Sequence, residues 1–375
     1  MFYHVLLTTK CDLKCKYCYE KSLKEMETEF ENFEVDYSVP SKISYSITAL
    51  KEFIEKDPNA GIIFYGGEPL LCIKDMEKIM DNIKAKYFII QTNGLHLDKI
   101  KPEYLNRLHT IFVSIDGDEA LTDYYRGEGV YKRIIRNLRI IRERGFKGEI
   151  IARMTVMEET DIYKQVLWLL NNPDFSFSSV HWQIDAGFWR SDLPERLNKF
   201  ERWVEESYNP GIRRLIDFWV EYMERNGIVL RIYPFLAVME SLLKGEKSLL
   251  RCGSGWANYS IQTDGHIIPC PIMNGMKDFY LGHIENSHPL RLRKVYVREP
   301  CVSCEIYNEC GGRCLYANLT KRWPDNAYRL VCKTVKNMIE SLKLALPRVK
   351  RLISEGRISL KDFEHMKYNS CEVIP

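Results

Sequence analysis

The 375-residue sequence has no apolar run approaching the ~20 residues that a membrane-crossing helix requires. Nor does it open on a basic segment followed by an apolar core, the pattern of a secretory signal. Neither sign of charge dominates: 54 Lys and Arg face 51 Asp and Glu, a formal net charge of +3. That balance argues against a nucleic-acid partner, whose electrostatic footprint needs a clear basic excess. Internal repeats and low-complexity stretches are absent as well. What is left is a globular composition, 45% hydrophobic and 28% charged, long enough for two domains. The expectation is a cytoplasmic protein with no membrane contact.

Cysteine is the residue in excess, with 12 in the chain. In a sequence with no secretory signal, clustered cysteines favour metal or cluster ligation over disulfides. Cys72 and Cys371 stand alone; the other ten fall in spaced groups. The first group is Cys11, Cys15 and Cys18, in the run CDLKCKYC. It offers three thiolates where a cubane iron–sulfur cluster takes four, so one iron would stay open to a ligand. A zinc loop is the competing reading. It lacks a fourth ligand, because neither Cys nor His follows before Cys72.

Through residue 190 or so, short β-rich runs alternate with amphipathic helical stretches. Strands are expected at Phe2–Leu7, Gly61–Tyr65, Tyr87–Gln91, Thr110–Ile115, Glu149–Val156 and Val180–Ile184. Helices are expected around Ser44–Glu55, Lys74–Ala85, Lys99–Leu108, Tyr131–Gly145 and Asp161–Asn171. Six strands with helical crossovers imply an α/β fold, a partial (β/α)6 barrel whose ligands gather at the C-terminal strand ends. Polar clusters stand at those ends. Gly66-Gly67-Glu68-Pro69 follows the second strand, Thr92-Asn93-Gly94 the third, and Ser114-Ile115-Asp116-Gly117 the fourth. Arg126 lies just beyond, in Asp123-Tyr124-Tyr125-Arg126, and a guanidinium is the best bidentate partner for a carboxylate. Arg153, Gln183 and Asp185, from the fifth and sixth strands, are candidates to reach either cofactor or substrate. The acidic segment Glu20–Asp36 reads either as a lid or as a solvated insertion.

The three-cysteine loop after a first strand, with Tyr17 before the third cysteine, resembles the signature of the radical S-adenosylmethionine (radical SAM) family. The motif at Gly66–Pro69 resembles the family element that holds the methionine amino group. The resemblance implies an enzyme with S-adenosylmethionine and one 4Fe–4S cluster with an open iron on Cys11, Cys15 and Cys18. Tyr17, Gly66, Gly67, Glu68, Pro69, Asn93, Ser114, Asp116, Arg126 and Arg153 are the implied cofactor contacts, Arg126 as the clamp on the methionine carboxylate. The implied chemistry is reductive cleavage to a 5′-deoxyadenosyl radical that abstracts a hydrogen atom from a C–H bond.

A second array follows: Cys252, Gly265-x4-Cys270, Cys301-x2-Cys304-x5-Cys310-x3-Cys314, and Cys332. With Leu281-Gly282-His283-Ile284 as a hairpin strand, it resembles the SPASM extension of radical SAM enzymes. The resemblance implies two auxiliary 4Fe–4S clusters, the first on Cys252, Cys270 and Cys314, the second on Cys301, Cys304, Cys310 and Cys332. Many relatives have an additional cysteine before the first of the seven, whereas here none lies between Cys72 and Cys252. A substrate thiolate, water, another side chain or Cys371 would complete the first cluster. Structural zinc is the alternative for the whole array. The expected division is a barrel over residues 1–235 and a cysteine-rich domain with a C-terminal helical segment over 236–375. An apolar stripe at Val335, Met338, Leu342, Ala345, Val349 and Leu352 marks that helix, with Pro347 within it.

SPASM members mostly modify peptides or proteins, so the resemblance implies hydrogen abstraction from a ribosomally made peptide, with a thioether or other crosslink as product. Anaerobic sulfatase-maturase-like oxidation of a Cys or Ser in a protein is the alternative; those enzymes typically have Asp after the cysteine matching Cys270, where this chain has Pro271. A multi-cluster electron carrier would not need the cofactor pocket, and a tRNA-modifying enzyme would need a basic domain. The implied partners are a peptide or protein substrate and a reductant such as ferredoxin or flavodoxin. Only ten residues precede Cys11, so leader binding is expected to fall to a separate protein or to the charged faces.

Overall fold

The structure is a computed structural model in which residues 1–18, 33–185, 193–321, 323–370 and 374–375 are described. Most of the acidic segment, residues 20–32, and Cys371 lie outside the described residues.

Strands β1 (Phe2–Thr8), β2 (Gly61–Gly66), β3 (Tyr87–Thr92), β4 (Leu108–Ser114) and β5 (Glu149–Val156) pair in parallel and in sequence order. Near-continuous apolar runs such as Ile62-Ile63-Phe64 in β2 suit strands covered on both faces. Helices α1 (Ile47–Ile54), α2 (Ile73–Asn82), α3 (Pro102–Leu105), α4 (Glu119–Arg126) and α5 (Val130–Glu143) occupy the connections. Ser46 and Asp118 cap α1 and α4 by accepting from Ala49 and Leu121 N–H groups at 3.1 and 3.0 Å. The expected third crossover helix shrinks to the four residues of α3: Pro102 starts it and Asn106 ends it. Helix α4 was not anticipated from periodicity.

The chain continues through α6 (Ile162–Leu170), β6 (Ser179–Ile184), α7 (Leu193–Trp203), α8 (Asn209–Asn226) and α9 (Tyr233–Lys244). It then forms β7 (Asn258–Ile261), β8 (His266–Ile268), β9 (Gly282–His283), α10 (Tyr307–Cys310), α11 (Leu315–Thr320) and α12 (Asp325–Ser354). The expected strand at 281–284 is β9, antiparallel to β8. The full strand order is β6-β5-β4-β3-β2-β1-β7-β8-β9.

Two compact units divide the chain: Met1–Arg153, Pro173–Ser176 and Gly253–Tyr296 form the first, and Met154–Asn172, Phe177–Cys252 and Val297–Pro375 the second. A boundary at residue 235 therefore falls inside the second unit. Residues 253–296 join the first because β7 pairs in parallel with β1, Tyr3 opposite Tyr259. There too the described end of the acidic segment pairs with the chain after β8, Asp36 N–H donating to the Gly275 carbonyl at 2.7 Å.

The second unit is built on aromatic residues. Trp219 in α8 is fully buried, its indole N–H donating to the Leu230 carbonyl at 2.8 Å. Its ring lies 5.5 Å from Phe235 and 6.0 Å from Phe363 between centroids. Helix α12 packs on α8 and α9 and runs through Pro347. Every residue of the expected stripe, Val335 to Leu352, is buried. Near Cys252, the Arg251 guanidinium donates to the carbonyls of Glu309 and Ala237, 2.9 Å each from Nε and Nη1. No helix among the described residues is long and apolar enough to cross a membrane.

Truncating Trp219 removes a large buried ring at a site fixed on several sides. Trp219→Ala is expected to destabilise the second unit by about 3–5 kcal/mol. A urea titration followed by circular dichroism checks this, and an unshifted midpoint would refute it.

Candidate functional site

The loop bearing Cys11, Cys15 and Cys18 leaves β1 at Thr8, and two glycines set its path. Gly66 has φ +140°, and a Cβ there would lie 2.1 Å from the Thr8 carbonyl oxygen. At Gly67 a Cβ would lie 2.4 Å from the Lys10 carbonyl oxygen. Only glycine fits such approaches. The N–H groups of Gly67 and Glu68 donate to the Thr8 and Lys10 carbonyls at 2.8 Å each. The close backbone approach read from this motif is thus, in the structure, an approach to the cysteine loop itself.

Glu68, fully buried, ties the second strand end to the third. Its carboxylate accepts from Leu70 N–H at 2.9 Å, Thr92 hydroxyl at 2.8 Å and Asn93 N–H at 2.7 Å. Burial raises its pKa to about 7, against the pull of those three donors. Pro69 opens the short turn Pro69–Cys72, where Cys72 is buried. Asn93 then returns to the loop: its amide donates to Asp12 at 2.8 Å, and His96 Nε2 lies 2.7 Å from the other Asp12 oxygen. Asp12 and His96 escaped sequence reasoning. Their only signal is position, one residue after Cys11 and three after Asn93.

The far side of the loop is held by α4. Lys16 N–H donates to the Tyr125 carbonyl at 3.0 Å, and the Lys16 ammonium lies 3.1 Å from the Tyr124 ring centroid. Tyr17 donates its hydroxyl to Asp116 at 2.6 Å. Arg126 forks onto both oxygens of the same carboxylate, Nε at 2.8 Å and Nη2 at 2.9 Å. Asp116 is fully buried and Arg126 nearly so. Burial alone would weaken the Arg126 charge, but the Asp116 carboxylate more than offsets it and raises the pKa. The sequence reading gave Arg126 a cofactor carboxylate; the carboxylate it holds here is that of Asp116. Ser114, the last residue of β4, is the register partner of Arg153 within β5. In the second unit Asp185 is ion-paired with Arg196 at 2.8 Å, and Gln183 lies in β6.

The three cysteines are half-buried in this frame. Burial pushes the Cys11 thiol up to about 12, and raises Cys15 against the pull of the Arg126 cation. A metal must therefore displace protons to bind here. Three sulfurs on one short loop, fastened on both sides, fit a cluster with one open iron.

The second unit contains a cavity lined by Cys301, Cys304, Cys310, Cys314 and Cys332. Four of these are the quartet expected to hold the second auxiliary cluster. Its remaining wall includes Ile306, Ala317, Val331 and Val335. None of these thiols is in a disulfide. Burial raises Cys310 to about 12 and Cys332 to about 11. Cys301 is raised by burial and lowered by hydrogen bonds from Tyr328 and Asn318. Soft thiolate donors lining one largely apolar cavity are the donor set that an iron–sulfur cluster takes. Of the other expected set, Cys252 and Cys314 belong to the second unit and Cys270 to the first, where it precedes the turn Pro271–Met273.

Two substitutions test this frame. Gly67→Ala is expected to displace the cysteine loop and lose the iron it binds, read by iron and sulfide analysis after anaerobic reconstitution. Asp116→Ala leaves the buried Arg126 unpaired and is expected to cost about 3–5 kcal/mol, seen as an earlier denaturant midpoint. Retained iron in the first, or an unmoved midpoint in the second, would contradict the stated role.

Residues 5–167 match the radical SAM superfamily. Over 90% of its length the chain is 23% identical to the cysteine-type anaerobic sulfatase-maturating enzyme of Clostridium perfringens (strain 13), covering 94% of that protein. It is also 23% identical, again over 90% of its length, to the radical SAM cyclopropyl synthase TigE of Paramaledivibacter caminithermalis, covering 73%. In fold it resembles the solved structure of native anSMEcpe with bound AdoMet and Cp18Cys peptide, at a TM-score of 0.66 and 20% identity over 94% of this chain and 99% of that one. The segment that matches the radical SAM superfamily thus contains the cysteine loop that the glycine pair sets at the end of β1.

Proposed function

We propose that this enzyme modifies a ribosomally made peptide or protein by abstracting hydrogen from an unactivated C–H bond, with a thioether or other crosslink as the product. The observation that carries the reading is the cysteine-lined cavity of the second unit, outside the segment matched to the superfamily. A relative similar over 90% of this chain matures a sulfatase, and a structure of like fold holds a peptide. When bound at the open iron, S-adenosylmethionine supplies the 5′-deoxyadenosyl radical. The backbone of Gly66 to Pro69, with Ser114 and Arg153, would frame that cofactor. Glu68, Asn93, Asp116 and Arg126 keep the frame rigid through the contacts they make with each other and with the loop. Tyr17, held by Asp116, keeps its ring beside the third cysteine.

Auxiliary four-iron clusters on Cys301, Cys304, Cys310 and Cys332, and on Cys252, Cys270 and Cys314, belong to this reading. So do a ferredoxin or flavodoxin as reductant, a separate leader-binding protein and a cytoplasmic location. Maturase-like oxidation of a Cys or Ser is a second reading, supported by the similarity to the Clostridium perfringens enzyme. Pro271 counts against it, since the resemblance to the maturases implies an Asp at that position, where this chain has no proton acceptor.

The test uses the reconstituted enzyme with S-adenosylmethionine, reductant and small cysteine-containing precursor peptides, read by mass spectrometry. Loss of two hydrogens with sulfur retained supports crosslinking; loss of sulfur with a hydrazine-reactive aldehyde supports maturation. Cys15→Ala is expected to reduce 5′-deoxyadenosine to background. Cys304→Ala is expected to keep uncoupled cleavage and lose the peptide product. Cleavage surviving in Cys15→Ala would remove the catalytic assignment.

A further inference from the structure

We propose that Tyr328 and Asn318 set the reduction potential of the cluster held by Cys301, Cys304, Cys310 and Cys332, by donating hydrogen bonds to the Cys301 sulfur. This rests on the reading of that quartet as an iron–sulfur site. The Tyr328 hydroxyl lies 2.9 Å from Cys301 Sγ, and Asn318 Nδ2 lies 3.5 Å from it. An iron-bound thiolate has no proton, so in the loaded site both contacts run toward sulfur as acceptor.

Both donors are fixed by other parts of the fold. The Asn318 side chain bridges the backbone of Arg298, accepting from its N–H at 2.6 Å and donating to its carbonyl at 2.9 Å. The same amide nitrogen faces both the Cys301 sulfur, at 3.5 Å, and the Tyr328 hydroxyl. Tyr328 stands in α12 four residues before Cys332, so hydroxyl and thiol face the same cavity from one side of the helix. The ring is set 6.0 Å from Trp323 between centroids. Arg313 also lines the cavity, its Nη2 donating to the Ile184 carbonyl at 3.0 Å, and brings a positive charge to the same space.

Reducing a cluster adds negative charge, part of it on the sulfurs. Donors aimed at a sulfur stabilise that more negative state and raise the potential. A merely structural tyrosine would hold α12 in place without moving the potential. The pair Tyr328 and Asn318 would make this cluster easier to reduce than the same four cysteines without those donors.

The test is Tyr328→Phe in the full, reconstituted chain, which removes one oxygen and keeps the ring. A redox titration followed by electron paramagnetic resonance resolves the clusters, and added S-adenosylmethionine marks the signal of the radical cluster. The expected result is one auxiliary step moved to lower potential, with the other steps and the iron content unchanged. An exchangeable deuteron coupled to that cluster in the wild type is expected to vanish in the variant. Unmoved steps at full iron content overturn the proposal, and loss of auxiliary iron in the variant does so by making Tyr328 a structural support. A wild type that retains only about 4 iron, with zinc in place of the rest, defeats the cluster reading itself. The iron count separates that failure from the others.

Discussion

Where β2 ends, the chain passes so close to the residues leaving β1 that a methyl group on Gly66 would sit 2.1 Å from a carbonyl oxygen. This approach closes a circuit. The loop carbonyls of Thr8 and Lys10 accept from Gly67 and Glu68, the Glu68 carboxylate accepts from Thr92 and Asn93, and the Asn93 amide returns to Asp12 in the loop. Three strand ends and the cysteine loop are thereby held as one piece. Each contact is short and mostly shielded from water, the condition under which hydrogen bonds specify geometry best.

A second closure works through charge. The buried Asp116 carboxylate serves Arg126 with both oxygens and takes the Tyr17 hydroxyl on one of them. A buried ion pair contributes little net stability, but removing one partner is costly. Its value here is in fixing where the aromatic beside Cys18 stands. Cys11 and Cys15 in the first unit and Cys301 in the second share one pattern: burial raises the thiol pKa, and neighbouring donors or cations favour the anion.

The barrel strands and the cysteine groups could be read directly, because short apolar, β-rich runs and ligand spacing are local properties of a chain. The partners of the polar residues could not. Asp116 and Arg126 were both recognised as site residues, yet their mutual pairing depends on α4 turning back beneath the strand end, which no periodicity announces. Asp12 is held by Asn93 and His96 from 81 and 84 residues away, a pairing that its neighbours in sequence do not mark. The pairing of β7 with β1 was hidden for the same reason: strands about 250 residues apart in sequence meet by three-dimensional availability, and so residues 253–296 joined the first unit.

Helix α12 presents Tyr328, Val331, Cys332, Val335 and Lys336 to the cavity, while further along the same rod Leu342, Val349 and Leu352 are locked into the core. A helix turns about 100° per residue. Inserting or deleting one residue between Cys332 and Leu342 would swing the sulfur away from its companions unless the entire buried stripe rotated as well. The length of that stretch is thus as tightly constrained as its chemistry, whereas the chain beyond Ser354, where the rod ends, is under no such rule of phase.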